Sequence, residues 1–198
     1  MGRIERDLRA VYGAYAYLRN HDLSSVSTTS RALREADLAR LAHRVRDELD
    51  ELRGVIDGTH GHGHGRDDVV LEAYQSLYWL TVLAVAAGDT YDDVRPHTVL
   101  EHGQPSSPTP LPGARATLTP APSPARGRGE QRDADDAGLE DLDSADPMRR
   151  RQAIRRGAAY MADLCGRAGV TVDEPIARDL SELRARSYLA PYWEAMDA

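Results

Sequence analysis

The stretch from Asp67 to Ala87, DDVVLEAYQSLYWLTVLAVAA, constrains this chain more than any other. Val69, Val70, Leu71, Leu77, Tyr78, Leu80, Val82, Leu83 and Val85 point in every direction around a helix. A helix that is apolar all round is buried, inside a bundle or a membrane. The uninterrupted apolar part, Leu77 to Ala87 with Thr81 inside it, is shorter than the roughly 20 residues a bilayer requires. The expectation is therefore the central helix of a soluble bundle.

That helix also carries a polar stripe. Asp68, Glu72, Gln75, Ser76 and Trp79 follow helical spacing and share one face. A buried carboxylate costs several kcal/mol unless a cation or donor offsets it, so the stripe must meet a partner, a metal or water. The preceding predicted helix has an apolar ridge of Leu38, Leu41, Val45, Leu49, Leu52 and Ile56. Glu48 and Glu51 border that ridge one turn apart, with Asp47 beside them. Acidic pairs on neighbouring helices repel unless a cation lies between them. A hard divalent ion with oxygen ligands, Mg²⁺ first, is the natural candidate.

E-x-x-E at Glu48 and Glu51, twenty residues, then Glu72 followed by the run LYWLTVLAVAAGDTYDDV, resembles the all-α nucleotide pyrophosphohydrolases, the superfamily of MazG and phosphoribosyl-ATP pyrophosphohydrolase. The resemblance spans roughly residues 30 to 101. It departs at Gln75, which stands where the family has its final aspartate and removes one of four charges. The resemblance implies a MazG-like bundle, Mg²⁺ held by Glu48, Glu51 and Glu72, and water activated against an α–β phosphoanhydride. Gln75 then offers a neutral oxygen, and Asp68, one turn before Glu72, stands in for the missing charge. Asp47 is placed as ligand or general base and Glu48 shares the catalytic role. Arg44, Arg66, His60 and His62 are the phosphate contacts nearest in sequence. The substrate implied is a nucleoside triphosphate or related nucleotide, and the assembly a homodimer or homotetramer. A catalytically degenerate helical interaction module of the same fold is the alternative, with Gln75 in its favour. A third reading pairs Glu48 and Glu51 with Arg44, Arg46 or Arg53 on an exposed face.

Composition bounds the partners. The chain has 25 basic residues, all arginine, and a net charge of -7, which speaks against a general nucleic-acid binder. Its single cysteine, Cys165, forms no intramolecular disulfide. The opening MGRIERDLRA lacks an apolar signal core, and a cytoplasmic protein with no membrane partner is expected.

The remaining chain reads as helices and connections. Ile4, Leu8, Val11, Tyr15 and Leu18 mark a first helix over 3–19, and a second helical region runs over 31–57 with room for a break near Asp37. GTHGHGHG closes it: either a loop bringing His60, His62 and His64 to the acidic site, or a solvated glycine run. Asp67 and Gly88 are read as start and stop of the central helix, and Thr90 as a cap. Seven of the eleven prolines fall between Gln104 and Gly129, without one acidic residue, which reads as a disordered linker. The division expected is a helical core over 1–102, a Pro-rich then acidic linker over 103–146, and a C-terminal helical extension over 147–198. The extension's arginines read as a solvated or acid-paired face, and YLAPYWEAM as a segment docked on the bundle or across a dimer.

Overall fold

The computed structural model describes residues 1–61, 63–101 and 138–198, and within them all regular structure is helical. The helices are α1 (Arg3–Asn20), α2 (Thr28–Glu35), α3 (Leu38–Asp57), α4 (Arg66–Ala86), α5 (Tyr91–Val94), α6 (His97–Leu100), α7 (Pro147–Arg167), α8 (Asp173–Arg184) and α9 (Ala190–Asp197). A 3₁₀ turn, Ser187–Leu189, leads into α9.

Local chemistry explains the boundaries. Ser27 caps α2, accepting from Ser30 N, and Ala36 ends it in the left-handed region at φ 49°. Asp37 then accepts from Arg40 N at 3.1 Å and opens α3, so the break near Asp37 is two helices separated by Ala36 and Asp37 alone. Gly58, at φ 73°, closes α3. Gly65, not Asp67, caps α4, and Asp67 and Asp68 lie in its first turn, where the helix dipole favours acids. Thr90 and Asp93 form a full capping box on α5.

α4 is the axis of the bundle. It packs most extensively on α3, then on α7, α8, α1 and α2. Leu77, Leu80 and Leu83 are each no more than 2% exposed, and burial of such side chains contributes about 1.5–3 kcal/mol apiece. The helix is 21 residues long and its most apolar 18-residue window has a mean hydropathy of 1.4, the dimensions of a membrane span, but 67% of that window is buried against the other helices.

The C-terminal half packs on the core along most of its described length. Residues 138–146, assigned to the linker, pack on the core: Leu139 and Leu142 are buried, and Arg46 donates to Leu139 O at 3.0 Å. The rest of that linker, and its expected disorder, lies outside the described residues. The segment from 147 is also no appendage, since α7 covers α3 and α4 while α8 lies on α1 and α4. Asp89, just past α4, is buried and takes Arg150 Nε at 3.2 Å and Arg151 Nε at 2.7 Å, so these two arginines are acid-paired, one of the two readings of that run, and anchor α7. The final segment docks on its own bundle. Tyr192 Oη donates to Ala10 O at 2.9 Å, above Gly13, where a built Cβ would stand 2.2 Å from that hydroxyl.

Candidate functional site

α3 and α4 are joined by a short loop and run antiparallel, so Glu48 and Glu51 of α3 face Glu72 of α4 across one seam. Glu48 and Glu72 are each 1% exposed. Glu51 is more open, with side-chain exposure of 43%. Ligand atoms of Glu51, His60 and Glu72 all lie within 4.8 Å of one another.

His60 arrives there by a backbone device. Thr59 N and His60 N both donate to Gly54 O, at 2.8 and 3.0 Å, folding the loop back onto α3. A Cβ on Gly54 would come within 2.8 Å of His60 Cβ, so only glycine permits this approach. His60 Nε2 then stands 4.0 Å from Glu51 Oε2.

Glu48 shows what the acids do to one another. Burial pushes its carboxyl above the ordinary range; Arg44 pulls it back, Glu51 and Glu72 push it further up, and a hydrogen bond from Trp79 offsets part of that. Arg44 Nη2 binds Glu48 Oε1 while Glu48 Oε2 accepts no hydrogen bond among the described residues. A buried carboxylate oxygen left empty costs roughly 1–3 kcal/mol or more. The reading of Glu48 as one half of an exposed ion pair fails on this burial, although the Arg44 contact exists.

The other expected residues sit around this centre. Gln75 is beside Glu72 and donates its amide to Glu72 Oε2 at 3.2 Å, presenting a donor to the seam. Asp68 is buried but faces the loop, where His64 N donates to its Oδ2 at 3.0 Å. Asp47 is held on the outer side of α3, with His43 Nδ1 at 2.8 Å and Arg44 Nη1 at 3.6 Å. Arg66 lies at the start of α4, bound by Glu174 at 2.8 Å. His62 lies outside the described residues.

The seam opens at both ends. Towards the loop a cleft of about 780 Å³ is bounded by His60, Arg66, Asp68 and Arg167. Towards the start of α3 a groove of about 460 Å³ is lined by Arg31, Arg40, Arg44, Tyr78 and Trp79. Arg44, which binds Glu48, also lies over the Trp79 ring at 5.2 Å and lines this groove. The groove was not anticipated; its one sequence trace is Arg40 and Arg44, one turn apart on α3. Arg167 was invisible as a site residue because it comes from a helix more than 90 positions away in sequence.

Glu51, His60 and Glu72 come close enough together to share a divalent cation, and the buried Glu48 lies beside them with one empty oxygen. Carboxylates alone suit Mg²⁺, and an imidazole among them widens the choice to Mn²⁺ and its neighbours. Comparison with protein-family models, curated proteins and solved structures found no match to this chain.

Proposed function

We propose that this chain is a divalent-metal-dependent nucleotide pyrophosphohydrolase. The observation that carries the reading is Glu48: a carboxylate buried at the α3–α4 seam, one oxygen without a donor, raised by Glu51 and Glu72 as well as by burial. Glu51, Glu72 and His60 would hold the cation, with Glu48 beside them and the Gln75 oxygen available if its amide turns. A bound Mg²⁺ or Mn²⁺ would supply Lewis-acid activation and charge neutralisation. The chain's own residues do the rest. Arg31, Arg40 and Arg44 offer guanidinium donors to phosphate oxygens, and Tyr78 and Trp79 offer ring faces to a base. Glu48 Oε2 accepts a proton from the attacking water. The water oxygen bonds the α-phosphorus, the α–β bridge breaks, and pyrophosphate leaves a monophosphate.

The second reading, a non-catalytic module, is favoured by two contacts. Arg44 already neutralises Glu48, and the Gln75 amide already donates to Glu72. One experiment separates them. Pyrophosphate release is measured over a nucleotide panel with Mg²⁺ or Mn²⁺, alongside calorimetric titration of each ion, for wild type and Glu72→Gln. The expectation is that Glu72→Gln loses ion binding and turnover while melting higher in chelator, because one of three mutually repelling carboxylates is gone. Unchanged ion affinity in Glu72→Gln hands the site to the second reading.

A further inference from the structure

A second cavity lies between α1, the start of α2, α4 and α8, apart from the acidic seam, with a volume of about 160 Å³. Asp179 forms part of its wall and is completely buried. Tyr15 Oη donates to Asp179 Oδ1 at 2.7 Å. The other oxygen, Oδ2, accepts no hydrogen bond among the described residues. A leucine here would cost nothing in desolvation, so a carboxyl with one oxygen empty asks for a donor that arrives from outside.

The remaining wall says what kind of donor. Tyr74, Tyr78 and Tyr188 join Tyr15 around the cavity. Tyr15 and Tyr78 meet edge-on at 5.7 Å between centroids, and Tyr74 lies 6.4 Å from Tyr78. The charged lining is Asp179, Glu182 and Arg186. Arg186 Nη2 is directed at Glu182, at 3.4 Å, which leaves Asp179 as the uncompensated group. An anion would meet that carboxyl directly. A hard divalent ion needs six or more oxygens and finds too few charged ones. Aromatic rings around a carboxylate are the setting in which organic ammonium ions bind, by cation–π attraction and a charge-assisted contact. The volume equals that of roughly five liquid waters, enough for a small amine and too small for a nucleotide.

We propose that this cavity binds a small organic ammonium ion, its cationic pole against Asp179 Oδ2 and its alkyl groups against the tyrosine rings. The titration of Asp179 agrees with this. Burial without a cation raises it to about 7, Tyr15 pulls it back and Glu182 pushes it up. Affinity for a cation should therefore rise about tenfold between pH 6 and pH 8, as the carboxyl ionises. The groups facing Asp179 are Tyr15 on α1, Tyr74 and Tyr78 on α4, and Glu182 and Arg186 at the end of α8. This proposal does not depend on the acidic seam.

The test titrates the full chain with methylammonium and tetramethylammonium chloride at pH 6 and pH 8, following melting temperature and calorimetric heat against sodium chloride at equal ionic strength. At least one ammonium ion should give a saturable rise, stronger at pH 8. Asp179→Asn, which retains an acceptor for Tyr15, should weaken it at least about tenfold. Tyr74→Leu, at a half-buried wall position, should weaken it too and serves if the first variant does not fold. No saturable effect from either ion, or equal effects in wild type and in the variants that fold, overturns the proposal.

Discussion

Glu48 and Asp179 are carboxyls that burial holds above their ordinary range, and both make the fold respond to pH in the same sense. In each case the native state binds a proton more tightly than the unfolded chain. The stabilisation is complete below the unfolded value near 4 and is lost as pH rises through the folded value. For Asp179 that window ends at about 7. The melting temperature should therefore fall between pH 5 and pH 8, and Asp179→Asn should flatten the upper part of that fall. Saturating Mg²⁺ or Mn²⁺ should flatten Glu48's share, because a cation favours the ionised form. Differential scanning fluorimetry across this range checks both, and a melting temperature that climbs steadily to pH 8 contradicts them. Glu48 was legible because it borders an apolar ridge at heptad spacing. Asp179 was not: one acid in the sequence DLSELR looks like any solvated helix residue, and only the packing of α8 on α1 and α4 buries it.

Among the elements, the α3–α4 hairpin shows which part of a site periodicity reveals. Helical spacing brings Glu48, Glu51 and Glu72 to one seam, and that much is readable from residue types alone. The arrival of His60 depends on a turn closed by Gly54 O, which no side-chain pattern encodes. Gly54→Ala tests it, because two effects oppose. Alanine in a helix interior gains about 1 kcal/mol over glycine, yet its Cβ would sit 2.8 Å from His60 Cβ and must displace the loop. The expected result is a melting temperature within a few degrees of wild type together with divalent affinity reduced about tenfold, read by calorimetry. Unchanged affinity would show that His60 is not a ligand. A different contact holds α7 to the end of α4. Asp89→Ala leaves Arg150, 5% exposed, without its carboxylate. Removing one partner of a buried pair costs about 3–5 kcal/mol, so urea unfolding should show a loss of that order. A loss under 1 kcal/mol would mean that Arg150 relaxes onto Ser144 O, which it already reaches at 3.0 Å.

At the scale of the whole molecule, the all-helical class follows from one helix that is apolar on every side, since such a helix must be surrounded. What surrounds it could not be read in advance. Three or four helices over 1–102 leave much of α4 uncovered, and the homodimer or homotetramer that the resemblance implies would be one source of cover. The structure supplies the cover from within: α7 and α8 lie against α4, with Ile154, Met161 and Ile176 buried at 1% exposure or less. Among the described residues the large apolar side chains left exposed are Met1, Val26, Met148 and Met196, on separate elements. That argument from uncovered surface therefore lapses, and only the family resemblance still points to an assembly. Light scattering at micromolar concentration tests the assembly: the resemblance implies two or four times the 21.8 kDa of a single chain, and a single-chain mass counts against it. The seam carries its acids, its imidazole and its arginines on one chain, so turnover per chain should be independent of protein concentration across the same range. A dimer mass with concentration-dependent turnover would mean that a second copy completes the site, and the α3–α4 seam alone would then be insufficient for the proposed reaction.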